Sequence, residues 1–176
     1  RVVRVQNRQI AATRNAGAKA ACGDRLFFVD ADTLATADAV RGALAALQAG
    51  AAGGGCLFNF GGRLPFWLRA TNPVLMALFR VLNVTGGCFL FCTRKSFEAT
   101  GGFCERYFAV EDRPFIQALK REGRFVIPQA RVMTSDRQSH HLSLRQTAWL
   151  IARMALGGPG SFTRRDMAKA WYGQHR

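Results

Sequence analysis

The segment LFFVDADT, residues 26–33, runs four apolar residues into two aspartates, Asp30 and Asp32, in a chain of net charge +14. Carboxylates two residues apart on extended backbone point the same way, so this pair can face one cation. Hard oxygen donors suit Mg²⁺ or Mn²⁺, ions commonly shared with substrate phosphates. The competing reading is structural: Asp32 and Thr33 cap the helix that follows. A second acidic pair, Glu111 and Asp112, stands before a helix in GGFCERYFAVEDRPF. Its structural reading is a carboxylate favoured at a helix N-terminus, and its chemical reading is a general base. The chain has 11 acidic residues and four lie in these two spots, so an anion binder working through charge alone would gain nothing from them.

Alternating elements position these residues. Alanine-rich QIAATRNAGAKAA (9–21) predicts a helix stopped by Gly23, and RLFFVDA a short apolar strand. ADAVRGALAALQAG (37–50) predicts a second helix, and AAGGGCLFNFGG (51–62) a strand between glycine turns. Residues 66–82 read as a helix broken or kinked near Pro73. GGCFLFCTRKSFEATGGF gives a strand, a short helix and a glycine turn; PFIQALKREG (114–123) a helix; RFVIPQARVMTS strand; and SLRQTAWLIARMAL (143–156) a last helix. Strand and helix alternate, so the class is α/β with a mixed, mainly parallel sheet.

Composition narrows the function. At 176 residues and 49% hydrophobic the chain buries a sizeable core. The longest apolar stretch, 64–84, is interrupted by Arg69, Asn72, Pro73 and Arg80, which excludes a spanning helix, and RVVRVQNRQI has no signal-peptide core. Five scattered cysteines, Cys22, Cys56, Cys88, Cys92 and Cys104, read as reduced thiols used as small hydrophobes in a cytoplasmic protein. The basic excess attracts phosphates, anionic lipid or nucleic acid, but no nucleic-acid-binding signature accompanies it, so no specific nucleic-acid partner is expected.

ATRNAGAKAACGDRLFFVDADT and GGCFLFCTRKSFEATGGFCERYFAVEDRPFIQALKREGRF, in this order, resemble the donor and acceptor segments of family 2 glycosyltransferases. The likeness covers residues 9 to 135 and implies a GT-A-like fold in one domain. Residues 1–62 would form its donor and metal part, 63–135 its acceptor part, and 136–176 a C-terminal helical tail. It implies inverting transfer from a nucleotide sugar, UDP- or GDP-linked, to an acceptor hydroxyl on a lipid-linked or polysaccharide acceptor. Asp30 and Asp32 would hold Mg²⁺ or Mn²⁺ and the donor. Arg14, Asn15, Gly17, Gly86 and Gly87 would line the donor site. Asp112 would be the base and Glu111 its neighbour positioning the acceptor. Gly101 and Gly102 would turn the chain toward them.

Arg137 would meet the diphosphate. His140, beside His141, is either a further metal ligand, as in some relatives, or a surface residue. Cys104 stands where the family usually has an acid and reads as packing. Pro114 replaces a frequent third acid. The family's first strand and helix normally precede the R-N-x-G residues, so the resemblance implies an N-terminally truncated domain. The alternatives are a catalytically inactive fragment or a basic membrane- or nucleic-acid-binding domain. The arginines near the apolar stretches 64–84 and 143–156 further suggest a peripheral position on the inner face of an anionic membrane.

Overall fold

The computed structural model describes residues 2–7, 9–61, 66–107 and 110–135. Its elements are α1 (Ile10–Ala20), β1 (Arg25–Val29), β2 (Thr33–Leu34), α2 (Ala37–Gln48), β3 (Gly53–Gly55), β4 (Leu57–Phe60), α3 (Phe66–Val81), β5 (Phe89–Thr93), α4 (Arg94–Thr100), α5 (Asp112–Glu122), β6 (Phe125–Val126) and β7 (Arg131–Thr134). The helix expected at 143–156 lies outside the described residues.

Two mixed sheets form, in the orders β1-β5-β3-β6 and β2-β7-β4. The chain passes between them five times, three of these in short connections: residues 30–32, Cys56 and residues 127–130. The sheets are mixed and helix-flanked, as expected of a GT-A-like fold, but they are not mainly parallel. β1·β5, β3·β5 and β2·β7 are antiparallel; β3·β6 and β4·β7 are parallel. The reason is β5, which sits between β1 and β3 and runs against both. Alternation along the chain predicts a layer arrangement and leaves strand direction open.

Two further expectations change. The glycines at 53–55 are not a turn. They are β3, fully buried, because β5 supplies the bulk: a Cβ on Gly53 would lie 2.7 Å from the Phe91 carbonyl, and one on Gly54 would overlap the Phe91 ring and the Val126 carbonyl. α3 is one helix from Phe66 to Val81, with Pro73 inside it rather than at a break.

The core has two clusters. Leu26, Phe28, Leu90, Phe103, Phe115 and Leu119 pack between the first sheet, α1 and α5. Phe103 and Phe115 stack with centroids 4.1 Å apart, and Phe28 meets Phe103 edge-on at 4.9 Å, geometries that aromatic pairs favour. Ala39, Ala43, Leu47, Phe89, Phe91 and Val132 form the second cluster, under α2. That helix is capped by Thr36, whose hydroxyl accepts from the Ala39 N–H at 3.2 Å. The cap therefore does not come from Asp32 or Thr33; those residues lie instead in the turn that follows β1, closed by the Thr33 N–H donating to the Asp30 carbonyl.

Candidate functional site

Helix α1 buries the face that carries Ala11 and Ala18. Arg14 stands three residues after the first and four before the second, so the helical repeat turns it inward. Its side chain is only 11% exposed. A buried guanidinium needs partners, and Arg14 has four. Nη1 donates to Glu111 Oε1 at 2.9 Å; Nη2 donates to Asp30 Oδ1 at 2.6 Å and to the Gly87 carbonyl at 3.1 Å. Cζ lies 5.2 Å from the Phe103 ring centroid. The planar fork of arginine suits such divided engagement, which a lysine could not reproduce.

One cation thus joins the two acidic pairs. Glu111 is 6% exposed, and Arg14 answers its charge. The pair meets at Gly87 because β1 and β5 are antiparallel. The end of β1 lies beside the start of β5, and the Asp30 N–H donates to the Cys88 carbonyl at 3.1 Å.

Asp112 opens α5. Its Oδ1 accepts from the Arg113 N–H at 2.9 Å, and the carboxyl packs on Gly87, where an added Cβ would come within 2.9 Å of Oδ2. Burial pushes the Asp112 pKa up to about 6, and the neighbouring Glu111 charge adds to the rise; Arg14 and the backbone donors oppose it. Two adjacent carboxyls therefore differ: Glu111 is held by an arginine, and Asp112 has affinity for a proton close to neutrality. Val110, just before them, has φ +60°. A β-branched residue in the left-handed region is strained, and such strain gathers at functional sites.

The D-x-D departs from its expected geometry. β1 ends at Val29, and the Thr33 N–H donates to the Asp30 carbonyl at 3.0 Å, closing a turn. The side-by-side argument for extended backbone therefore does not apply. Asp30 is half-buried against Arg14, and Asp32 is exposed. Among the described residues no three His, Cys, Asp or Glu side chains gather in reach of one ion. Asp30 Oδ1 is engaged by Arg14 and Asp32 is open to solvent, so an ion held here would take most of its ligands from water and phosphate oxygens, not from an all-protein cage.

The remaining residues divide. Asn15 Nδ2 donates to the Phe103 carbonyl at 2.9 Å and its Oδ1 accepts from the Phe103 N–H at 2.9 Å, so it clamps α1 to the loop after Gly101 and Gly102. Those glycines turn with φ +73° and +76°. Gly17 borders a cavity of about 400 Å³ also lined by Val3 and Val5. Gly86 packs under Phe58. Cys104 is half-buried and free. Arg137 and His140 lie outside the described residues. What the sequence reading missed is that Arg14 reaches both acidic pairs. The signal was present: an arginine in register with the buried alanines of α1.

A family model described as Glycosyl transferase family 2 matches residues 1–104. The chain belongs to glycosyl transferase family 2. The matched stretch contains Arg14, Asp30, Asp32 and Gly87; Glu111 and Asp112 follow it, Glu111 joining the site through Arg14 and Asp112 through its packing on Gly87. No curated protein matches the chain. Members of glycosyl transferase family 2 in general transfer a sugar from a nucleotide-sugar donor to an acceptor, usually with a divalent metal.

Proposed function

We propose that this chain transfers a sugar from a UDP- or GDP-sugar to an acceptor hydroxyl in one inverting displacement. The observation that carries the reading is Arg14, which ties donor-side Asp30 to acceptor-side Glu111 while Asp112 packs against the same Gly87.

Asp112 accepts the proton of the attacking hydroxyl. With its pKa at about 6 it is ionised at neutral pH yet binds a proton well, the compromise a general base needs. Glu111, immobilised by Arg14, keeps the negative charge beside Asp112 fixed. Asp32 and the free oxygen of Asp30 would hold Mg²⁺ or Mn²⁺, which when bound offsets the charge of the departing nucleoside diphosphate. Arg14 keeps Asp30 oriented at the turn. A single base candidate requires no covalent enzyme intermediate. The domain would work in the cytoplasm, on the inner face of a membrane, with a lipid-linked or polysaccharide acceptor.

The test is a donor screen with Mn²⁺, following release of nucleoside diphosphate, on the wild type and on Asp112→Asn. The variant should bind donor and fail to turn it over. Unchanged turnover in the variant would reduce Asp112 to a helix-terminal residue.

A further inference from the structure

Helix α3 is apolar on two faces. Inward, Met76 is fully buried. Outward, Phe66 (86% exposed), Val74 (72%), Leu78 and Val81 (82%) recur at spacings of eight, four and three residues, and the next residue, Leu82, is exposed too. These spacings keep one stripe of a helix. An exposed apolar patch of this kind marks a contact surface.

Charge selects the occupant. Residues 39–97, which contain α3, hold no Asp or Glu; Arg41 and Arg94 pair with Asp38 and Glu98 at its two borders, and Arg63, Arg69, Arg80 and Lys95 make up the rest of its cations. The whole chain carries +14, so a second copy meets like-charge repulsion, while an anionic surface is attracted. No helix among the described residues is long and apolar enough to cross a membrane. An apolar stripe in a cationic setting without a span is the pattern of a helix lying in a lipid interface. Arg80 donates to the Pro128 carbonyl at 3.1 Å, so it acts there through its field, not through headgroup contact. Position matters as well. Six residues beyond Val81 the chain reaches Gly87, against which Asp112 packs.

We propose that the outward face of α3 docks this protein on an anionic lipid surface. Val74, Leu78 and Val81 enter the interface, and the Gly87–Asp112 contact comes close to it. The substrate consequence rests on the glycosyl-transfer reading: the acceptor hydroxyl belongs to a molecule carried in that surface. The docking itself does not depend on catalysis.

Flotation of the full chain with vesicles tests the docking. Phosphatidylglycerol vesicles should recover the protein at low salt, phosphatidylcholine vesicles should not, and recovery should fall as ionic strength rises. Val74→Asp with Val81→Asp should cut the vesicle-bound fraction by about tenfold or more, since two apolar anchors are lost and two negative charges are placed on the face that meets the anionic lipid. Its thermal midpoint in lipid-free buffer should stay at the wild-type value. Asp112→Asn should float like wild type, which separates failure of docking from failure of catalysis. Equal recovery on both vesicle types overturns the proposal, as does undiminished binding of the double variant. A fall in its thermal midpoint would show that the chain itself covers this face. A dimeric wild type made monomeric by the two substitutions would show that a second copy does.

Discussion

The two acidic pairs use the same residue type in opposite surroundings. Asp30–Asp32 forms a turn between two sheets, with Asp32 open to solvent. Glu111–Asp112 begins α5 over an aromatic core, with Glu111 buried and Asp112 half-buried. The first pair leaves Asp32 exposed, as the proposed ion would need, while Asp30 leans on Arg14. The buried pair is split, one charge held by Arg14 and the other drawn toward a proton. Surroundings, not residue identity, thus set these carboxyls apart: Asp32 is left to solvent, Glu111 is answered by Arg14, and Asp112, desolvated beside the Glu111 charge, is drawn toward a proton. Arg14 belongs to both regions, and its removal is the sharpest way to break the contrast.

Arg14→Gln should have the largest effect. Glu111 would be left buried and uncompensated, a loss of about 3–5 kcal/mol by the behaviour of broken buried pairs. Thermal or urea unfolding measures it. Adding Glu111→Gln should restore much of the loss, because the orphaned charge goes with it. No recovery in the double variant would mean that Arg14 acts mainly through Phe103 and Gly87.

Asp112→Asn comes next, with a fall in turnover of roughly 10²-fold or more. The same variant carries a stability signature. The Asp112 pKa rises from 3.8 to about 6 on folding, so the folded state holds the proton more tightly. Its stabilisation is full below pH 3.8 and is lost as pH rises through about 6. The asparagine side chain cannot ionise, so the variant should be the more stable protein at pH 8, with the gap closing at pH 3.5. Melting curves at the two pH values check the sign.

On the open side, Asp32→Ala should weaken Mn²⁺–nucleotide binding by tenfold or more, about 1.4 kcal/mol, with little change in melting. Calorimetry with UDP and GDP, with and without Mn²⁺, reads it. Equal affinity with and without Mn²⁺ would remove the ion-binding role from this pair.

The smallest effect is chemical. Burial pushes the thiols of Cys56, Cys88 and Cys92 up to about 12. The Asp30 charge adds to the rise at Cys88, which lies between the two pairs. Alkylation of the native protein should label exposed Cys22 and half-buried Cys104 and spare these three. Mass spectrometry after brief treatment settles it, and labelling of Cys88 would show that the site opens at this point.

Much of the fold was legible because local rules governed it. Alanine-rich α1 and α2, the apolar strands β1 and β5, and the proline in the first turn of α5 all formed as composition and punctuation predict. What was not legible depended on partners distant in sequence. The direction of β5 is set by its neighbours, and β3 is a strand of glycines because Phe91 occupies the space that side chains would need. The candidate site followed the same division. Its aspartates stood out as rare acids in a basic chain, while the link between them required knowing that residues 14, 30, 87 and 111 meet.

The triple-glycine strand also bears on how this family member reads under mutation. Gly53, Gly54 and Gly55 lie against Phe91, Leu90 and Thr85 with no room for a methyl group. A saturation scan would find them as intolerant as Asp112, though none of them bears a reactive group. Ranked by tolerance alone, the interior of the sheet would pass for a catalytic centre. Only a readout that separates folded abundance from turnover would tell the two apart.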